Sequence, residues 1–268
     1  MGLIVRPILL VIPSYRETDR LSPLLLQIEE ELRRSPLPAP LRIIVADDGS
    51  PVEESRMMNQ TVATFSAMLK TQVFDTKTEA TFRRFENNRG KGAVLRDIFK
   101  EAIEQNHYEA LAFLDADGAT PFSQFKTLLS TLLADPDLAA TIGSRWLALG
   151  HEVFRSPKRH YIGRVFATLL STMFRIPVYD SQCGAKIFRT NALTLRTFEI
   201  CTNPRWLFDT ELLVFLWLEG RKLEEVPVNW HDIPGSKVSL IRDPLRMLLG
   251  LWRFKKKLIK LGVYPPKS

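Results

Sequence analysis

The first half of the chain alternates short apolar runs with amphipathic stretches, and this alternation constrains the fold more than any other feature. Residues 8–12, 43–46 and 111–114 are runs of Ile, Leu, Val, Ala and Phe, as expected for strands that are buried on both faces. Between them, residues 22–34 and 92–104 repeat apolar side chains at helical spacing. Strands that alternate with helices predict a doubly wound α/β domain with a mostly parallel sheet.

The second half of the chain is predicted to contain more helices. Residues 159–175 are apolar on almost every side, and residues 207–218 are apolar apart from two carboxylates, Asp209 and Glu211. Residues 244–261 mix Leu, Trp, Phe and Ile with six Lys or Arg, which is the pattern of a basic amphipathic helix. No linker or composition change marks a boundary, so residues 1–268 are expected to form one domain.

Composition and charge limit the classes of function. With 45% hydrophobic and 25% charged residues, the chain has the composition of a globular protein. Its net charge of +7 favours anionic partners such as phosphorylated compounds, an anionic membrane face or nucleic acid. Cys183 and Cys201 are not spaced as a metal pair and are expected to be free thiols in a reducing, cytoplasmic compartment. The longest uncharged helical stretch, residues 165–174, is half the ~20 residues that a membrane span needs, so any membrane contact is expected to be peripheral.

The strongest functional signal is the segment 113–118, Phe-Leu-Asp-Ala-Asp-Gly. Asp115 and Asp117 follow an apolar run, and the alternation of side chains along a strand predicts that both point to the same side. The carboxyl edge of an open α/β sheet is where such folds bind ligands. Two carboxylates there suit Mg²⁺ or Mn²⁺ bound together with a diphosphate. An Asp-Gly surface turn is the alternative interpretation of the same residues.

Three further polar segments lie where a ligand site at one sheet edge requires them. The first strand runs into residues 13–17, Pro-Ser-Tyr-Arg-Glu, and the second runs into residues 47–51, Asp-Asp-Gly-Ser-Pro. A carboxylate beyond such a strand can accept a hydrogen bond from a uracil N–H or from a ribose hydroxyl, as acidic residues do in other nucleotide-binding folds. Residues 88–92, Asn-Arg-Gly-Lys-Gly, open a helix, where Lys91 adds positive charge to a natural anion site.

In this order and spacing, the motifs resemble those of the family 2 glycosyltransferases of GT-A fold. Residues 115–121, 180–188, 206–212 and 228–237 look more narrowly like the dolichyl-phosphate β-glucosyltransferase branch, whose relatives include the dolichyl- and polyprenyl-phosphate mannosyltransferases. The resemblance implies a mostly parallel, Rossmann-like sheet flanked by helices, with amphipathic helices at the carboxyl end. It also implies a nucleotide-sugar half at about residues 1–150 and an acceptor- and membrane-facing half at about residues 151–268.

The resemblance also implies roles for individual residues. Donor contacts are implied for Pro13, Tyr15, Glu17, Asp47 and Asp48. Metal or diphosphate contacts are implied for Asp115 and Asp117, and Arg145 matches an arginine near the donor phosphates. Lys158 and Arg159 match a basic pair that faces phosphate, and Ser236 and Lys237 match a loop that closes over the donor or acceptor. Asp180 and Gln182 are further candidates near the sugar.

The resemblance also implies an inverting displacement at the anomeric carbon of a nucleoside-diphosphate sugar, and it favours UDP-glucose over GDP-mannose and UDP-GlcNAc. A polyprenyl or dolichyl phosphate acceptor is largely ionised at neutral pH, because the second pKa of a phosphate monoester is about 6. Asp209 or Glu211 would then orient the acceptor or support the sugar. A hydroxyl acceptor would instead need one of them as a general base. An exposed helix start is the structural alternative for both carboxylates.

Other classes of function fit the sequence less well. Sugar-phosphate nucleotidylyltransferases of this fold carry a glycine-rich loop after the first strand, and residues 13–18 contain no glycine. Nucleic-acid binding is disfavoured because the basic residues cluster in the tail and around phosphate-type motifs. A catalytically silent scaffold is disfavoured because Asp115 and Asp117 are both present.

The basic tail suits either an interfacial helix on an anionic leaflet or a helix packed on the core with a solvated basic side. We therefore expect a lipid phosphate acceptor and an anionic membrane surface as partners, with the protein on the cytoplasmic face.

Overall fold

The computed structural model describes residues 6–71, 77–154, 156–231 and 242–264. Within these ranges the central sheet has seven strands in the order β3-β2-β1-β4-β7-β5-β8. The strands are β1 (Ile8–Ser14), β2 (Leu41–Asp48), β3 (Thr78–Phe85), β4 (Ala110–Leu114), β5 (Leu138–Ser144), β7 (Ala185–Arg189) and β8 (Lys222–Pro227). A separate pair consists of β6 (Val153–Phe154) and β9 (Trp230–His231).

The sheet is mostly parallel, which confirms the fold class predicted from the alternation of strands and helices. Strands β3, β2, β1 and β4 run parallel to one another. Strand β7 is antiparallel to both of its neighbours, and β8 is parallel to β5. The four parallel strands therefore end at one edge, where the chain leaves the sheet at Ser14, Asp48, Phe85 and Leu114.

Helices cover both faces of the sheet and bury an apolar layer on each. The first layer includes α1 (Thr18–Arg34), α2 (Val52–Thr71) and α4 (Phe122–Ala134). The second includes α3 (Lys91–Gln105), α5 (Pro157–Phe174), α6 (Leu195–Ile200), α7 (Phe208–Leu218) and α8 (Arg242–Lys260). Because side chains alternate along a strand, β1 contributes to both layers. Its residues Ile8, Leu10 and Ile12 face the first layer, and Leu9 and Val11 face the second.

Helix α1 starts one turn before the predicted boundary at residue 22. It begins at Thr18, so Pro23 lies inside the helix and not in its first turn. A proline at this depth removes one backbone hydrogen bond. The helix tolerates it because Leu21, Leu25 and Ile28 are buried against the sheet, and packing of such a stripe stabilises a helix more than local propensity does.

Helix α7 is buried on almost every side, so the interpretation of Asp209 and Glu211 as an exposed helix start is wrong. Both carboxylates are buried, as are their neighbours along the helix from Phe208 to Leu216. A buried carboxylate is costly unless it has partners. Each of the two therefore needs its own donors, which are described below.

Helix α8 packs on the core and also exposes apolar side chains. Leu251, Phe254 and Leu258 are buried, whereas Leu249, Trp252 and Ile259 are each more than half exposed on the other side. Among the described residues, no helix combines the length and apolarity that crossing a bilayer requires. Helix α8 therefore makes the core contact predicted for the tail, and the predicted contact with a membrane interface stays a prediction.

Candidate active site

The loops after β1 and β2 are joined by Ser50. Its Oγ accepts a hydrogen bond from the backbone N–H of Arg16 at 2.9 Å, and its own N–H donates to Oδ1 of Asp47 at 3.0 Å. Asp47 is completely buried, and its Oδ2 has no hydrogen-bond partner among the described residues. Nε of Arg84 lies 4.0 Å from that oxygen. A buried acceptor without a donor is costly, so Oδ2 of Asp47 is suited to receive an N–H or O–H of a ligand.

Asp48 holds the loop that leads into α3. Its Oδ1 accepts from the backbone N–H of Arg89 and its Oδ2 from that of Gly90, both at 2.7 Å. Burial raises the pKa of Asp48, and the two backbone hydrogen bonds oppose that rise. Asp48 therefore fixes the position at which α3 begins. Its predicted contact with the donor stays a prediction.

Lys91 and Asp115 meet at the carboxyl edge of the sheet. Lys91 is the first residue of α3, and its Nζ lies 2.5 Å from Oδ1 of Asp115. The same amine lies 4.3 Å from the centre of the Phe113 ring. Burial disfavours the charged amine, but the carboxylates of Asp115 and Asp209 outweigh burial and raise the pKa of Lys91. The site therefore keeps a fixed positive charge beside its acidic residues.

Asp117 reaches the same site through a turn. Strand β4 ends at Leu114, so the expectation that Asp115 and Asp117 share a side because of strand alternation is wrong. Oδ1 of Asp117 accepts from the backbone N–H of Ala119 at 3.0 Å, which closes the turn. Burial raises the pKa of Asp117, and the charge of Asp115 raises it further. The two carboxylates are therefore close enough to repel each other.

This repulsion makes Asp115 and Asp117 suitable ligands for a divalent cation. Oδ2 of Asp115 lies against the backbone of Gly184, where a Cβ atom would be only 2.5 Å from it. Glycine at this position leaves room for the carboxylate. Among the described residues, no group of three or more His, Cys, Asp or Glu side chains is placed to hold a metal ion. A cation at Asp115 and Asp117 would therefore complete its shell with substrate and water oxygens, as Mg²⁺ usually does.

Asp209 belongs to this cluster through Lys186, a residue of β7. Nζ of Lys186 donates to Oδ2 of Asp209 at 2.6 Å and to the carbonyl oxygen of Cys183 at 2.7 Å. Lys186 is completely buried and also lies 5.3 Å from the centre of the Phe113 ring. Lys91 and Lys186 thus approach the same ring, and each is paired with one carboxylate.

Glu211 does not join the cluster. Its Oε2 accepts from the backbone N–H of Asn203 at 2.9 Å. Burial raises the pKa of Glu211 to about 7, against the opposing effects of the Asn203 hydrogen bond and the charge of Lys257. Glu211 therefore braces the segment before α7, and the prediction that it acts in catalysis has no geometric support.

Arg145 and Asp180 form a bidentate ion pair. Nε and Nη2 of Arg145 donate to the two carboxylate oxygens of Asp180 at 2.6 and 2.7 Å. Burial disfavours the guanidinium charge, but Asp180 outweighs burial and raises the pKa of Arg145. The guanidinium also lies 4.7 Å from the centre of the Trp230 ring. Gln182 joins this pair to α7, because its Nε2 donates to Oγ1 of Thr210 at 2.5 Å.

The remaining donor residues predicted from the motifs lie around the β1 end. Pro13 is part of β1, and the ring of Tyr15 lies 5.4 Å from the Arg16 guanidinium. Glu17 pairs with Arg20 at 3.2 Å, and its charge contributes to the raised pKa of Asp117. Glu17 is therefore close to the acid pair.

The predicted basic and mobile-loop residues are only partly described. Lys158 is exposed in the first turn of α5. The side chain of Arg159 and the residues Ser236 and Lys237 lie outside the described part of the chain. Their predicted contacts with phosphate stay predictions.

The sequence profile described as Glycosyl transferase family 2 matches residues 9–196. The chain belongs to this family. This glycosyltransferase is 30% identical to the dolichyl-phosphate beta-glucosyltransferase of Saccharomyces cerevisiae, over 92% of the chain and 77% of the relative. It is 31% identical to the Homo sapiens protein of the same name, with the same coverage of both chains. The resemblance inferred from the motifs is thereby confirmed.

A solved structure shares the fold of this glycosyltransferase. Glucosyl-3-phosphoglycerate synthase from Mycobacterium tuberculosis, crystallised with Mn²⁺, UDP-glucose and phosphoglyceric acid, superposes with a TM-score of 0.60. The match covers 94% of this chain and 80% of the synthase at 14% sequence identity. The fold class predicted from the sequence is therefore confirmed.

Three residues of this glycosyltransferase site were missed from the sequence. Lys186 lies in the motif at residues 180–188, but no sequence pattern indicates that its charge is buried beside Asp209. Arg84, near Asp47, lies at the end of an edge strand that was not predicted. Glu225 of β8 accepts from the backbone N–H groups of Tyr179 and Asp180 at 2.7 and 2.6 Å, and so positions the partner of Arg145. Because side chains alternate along a strand, the spacing of Leu223 and Glu225 in β8 is a sequence signal that points to an inward-facing Glu225.

Proposed function

We propose that this glycosyltransferase transfers glucose from UDP-glucose to a polyprenyl or dolichyl phosphate, with inversion, at the cytoplasmic face of a membrane. The observation that carries the proposal is the cluster of Lys91, Asp115 and Asp117 at the carboxyl edge of the sheet, which combines a fixed cation with two acids. The sugar and the acceptor follow the names of the yeast and human relatives. The donor half is assigned to about residues 1–150 and the acceptor half to about residues 151–268.

Asp47 supports the nucleotide part of the proposal. Its buried Oδ2 lacks a donor within the described residues and lies beside the half-exposed Arg84. The N–H group of a uracil ring would satisfy this oxygen. A base without an N–H at that place would leave the carboxylate unsatisfied, which is how buried polar groups discriminate between ligands.

Asp115 and Asp117 would hold Mg²⁺ or Mn²⁺ in the proposed site. When bound, such an ion supplies Lewis-acid stabilisation of the negative charge on the departing UDP. Lys91 contributes a preorganised positive charge at the same place, held by its bond to Asp115, and needs no reorganisation during the reaction.

The hydrogen bonds that both carboxylate oxygens of Asp209 make support a phosphate acceptor. A phosphate monoester with a second pKa near ~6 is mostly ionised at neutral pH, so one of its oxygens attacks the anomeric carbon without a general base. Oδ2 of Asp209 is bonded to Lys186 and Oδ1 accepts from the N–H of Thr210 at 3.0 Å. Asp209 is therefore assigned to positioning, because both of its oxygens already have partners.

Two neighbouring helices support the membrane part of the proposal. Helices α5 and α8 are in contact through Phe174 and Phe254, whose ring centres are 6.2 Å apart. Among the side chains that the structure describes in these helices, the large apolar ones that are exposed are Tyr161, Val165 and Leu169 on α5 and Leu249, Trp252 and Ile259 on α8. Residues 244–264 contain six Lys or Arg and no Asp or Glu. Exposed apolar side chains with cations on the same helix suit an anionic lipid surface, and a phosphate acceptor with a prenyl tail is found there.

The decisive experiment offers the purified protein three donors with one acceptor. UDP-glucose, GDP-mannose or UDP-GlcNAc is incubated with Mn²⁺ or Mg²⁺ and a short-chain polyprenyl phosphate, and products are separated by charge and mass. We expect a charged glucolipid from UDP-glucose alone, with the β configuration by NMR because the donor is α-linked. A product from GDP-mannose or UDP-GlcNAc would overturn the donor assignment. Transfer to a soluble sugar hydroxyl would overturn the lipid acceptor.

A further inference from the structure

Residues 199–207 comprise the last two residues of α6 and the connection to α7. They lie between α8 and the start of α3, and we call them the bridging segment. We propose that α8 positions Lys91 through this segment, which makes Lys257 of α8 a positioning residue for donor binding. The inference rests on the proposed role of Lys91 and Asp115 in holding the donor diphosphate. It adds that the helix with the proposed membrane-facing side also sets the geometry of the donor site.

Helix α8 holds the bridging segment at both ends. Nζ of Lys257 donates to the carbonyl oxygens of Glu199 and Ile200 at 2.9 and 2.8 Å and lies 3.3 Å from Oγ1 of Thr202. Two turns earlier, Gly250 packs on the other end of the segment, because a Cβ atom there would lie 2.7 Å from Cδ2 of Leu207. The absence of a side chain at residue 250 thus lets α8 approach the segment closely.

The other side of the bridging segment lies directly on the first turn of α3. The N–H of Ala93 donates to two carbonyl oxygens at 3.0 Å, that of Pro204 in the segment and that of Gly90 before α3. A Cβ atom on Gly90 would lie 2.3 Å from the carbonyl oxygen of Pro204, and one on Gly92 would lie 2.5 Å from the carbonyl oxygen of Asn203. Backbone therefore contacts backbone here, and the segment cannot move without moving the start of α3.

Lys91 lies between these two glycines, so its position depends on this contact. Its Nζ reaches Asp115 at 2.5 Å, and Asp48 holds the loop from the opposite side through the N–H of Gly90. Functional side chains must be held within about 0.5 Å of the productive geometry to act fully. Loss of the α8 contact would leave the segment held by Glu211 at Asn203 and the loop held by Asp48. With one of its supports removed, Lys91 would be less well placed for the diphosphate.

Lys257 also caps the carboxyl end of α6, since Glu199 and Ile200 are its last residues. A purely structural cap would lower the unfolding temperature and would speed amide exchange to a similar degree in every well-protected element. A positioning role would in addition change the donor affinity of the folded protein and the local exchange of the Ala93 amide. These two readouts separate the alternatives.

The test compares Lys257→Met with Lys260→Met, which removes an equal charge from an exposed site on the same helix. UDP-glucose binding is measured by calorimetry with Mn²⁺ well below the unfolding temperature, and hydrogen exchange is followed at residues 90–94. We expect Lys257→Met to weaken donor binding about tenfold and to speed exchange of the Ala93 amide. Lys260→Met should match the wild type, and Lys257→Arg should recover most of the affinity because it keeps the donors.

Gly250→Ala is a second variant that perturbs the other α8 contact. Alanine favours the helix, so α8 stays folded while its new Cβ pushes on Leu207. We expect weaker donor binding and faster Ala93 exchange here as well. Unchanged affinity and exchange in both variants would overturn the inference and leave the proposed function standing. If the wild type binds no UDP-glucose, the proposed function fails, and exchange at Ala93 still decides whether α8 restrains α3.

Discussion

Lys186 and Asp209 form an ion pair behind the acid cluster, with Nζ of the lysine 2.6 Å from Oδ2 of the aspartate. The lysine side chain is completely buried, and the aspartate is less than a tenth exposed. The pair joins strand β7 to helix α7. It also brings a second ammonium group to the ring of Phe113, which Lys91 approaches as well.

Removal of one member of this pair should be strongly destabilising. Lys186→Met leaves Asp209 buried without its partner, and we expect a loss of about 3–5 kcal/mol in the free energy of unfolding. The double variant Lys186→Met/Asp209→Asn should recover part of this loss, because it removes the unpaired charge. Urea denaturation monitored by circular dichroism measures all three proteins.

The exposed pair formed by Lys222 and Asp135 is a matched control, because its atoms are also 2.6 Å apart. Water screens this pair, so Lys222→Met should leave the urea midpoint almost unchanged. Equal losses in Lys186→Met and Lys222→Met would contradict the argument from burial.

Asp117→Asn should separate activity from stability. The variant loses a charge that would hold the divalent cation, and we expect kcat to fall about a hundredfold or more. Burial, and after it the charge of Asp115, raises the pKa of Asp117, so the ionised carboxylate is disfavoured in the folded protein. Its replacement by a neutral amide should leave the unfolding temperature equal or raise it. Turnover is measured with UDP-glucose and polyprenyl phosphate, with the exposed Asp137→Asn as a control. Wild-type turnover of Asp117→Asn at saturating metal would exclude the proposed role.

A strand is predictable from the sequence when its apolar run is not interrupted by charged residues. Strands β1, β2 and β4 are identifiable because both of their faces are mostly buried and their runs are nearly continuous. Strand β3 is missed because it lies at the edge of the sheet and carries Arg83 and Arg84. Strand β7 is fully buried but contains Lys186, whose charge is stabilised by Asp209, a residue 23 positions away. A partner so distant in sequence leaves no local pattern.

The candidate site shows the same limit. Asp115 and Asp117 meet at the predicted edge, but through a turn, which strand alternation does not describe. The sequence pattern predicts the same roles for Asp209 and Glu211, yet side chains two residues apart on a helix point about 200° apart. Only Asp209 faces Lys186, and Glu211 faces the bridging segment. The geometry of a helix is enough to predict that Asp209 and Glu211 face different neighbours. The pairing of Arg145 with Asp180 is visible only in the tertiary structure.

Glu211 should make the stability of the protein depend on pH. Burial raises its pKa from 4.5 to about 7 in the folded state. Between these values the folded state holds a proton that the unfolded state has lost, so the free energy of unfolding falls as the pH rises from 4.5 to about 7. The total contribution is about 3 kcal/mol, because the carboxyl group is almost completely buried.

Glu211→Gln should abolish this part of the pH dependence, because glutamine keeps an acceptor for the Asn203 N–H and carries no charge. Urea titrations at several pH values compare this variant with the wild type and with the exposed Glu104→Gln. A Glu211→Gln protein whose stability falls with pH as steeply as that of the wild type would rule out Glu211 as the titrating group.

Asp47 should select a nucleobase that carries an N–H. Its Oδ2 is buried without a donor among the described residues, so a ligand N–H there avoids an unsatisfied acceptor. Asp47→Asn turns a donor group towards the ligand, and we expect UDP affinity to fall about tenfold or more. UDP with a methyl group on N3 should bind the wild type weakly, and the variant should discriminate less between the two nucleotides. Calorimetry that shows equal wild-type affinity for both would exclude this contact.

The exposed side of α8 should bind anionic membranes through both its apolar and its basic groups. Trp252 and Ile259 are more than half exposed, and Nζ of Lys256 lies 3.5 Å from the centre of the Trp252 ring. We expect Lys256→Met to weaken binding to phosphatidylserine vesicles about fivefold, since one lysine near such a surface contributes about 1 kcal/mol. Trp252→Ser should weaken it further by removing apolar contact. Vesicle sedimentation at increasing salt should show that binding by the wild type is lost as the charges are screened. Met57→Ser removes a comparably exposed side chain from α2, on the other layer, and should bind as the wild type does. Equal binding to neutral and anionic vesicles, or an equal loss in Met57→Ser, would show that α8 is not the membrane-facing element.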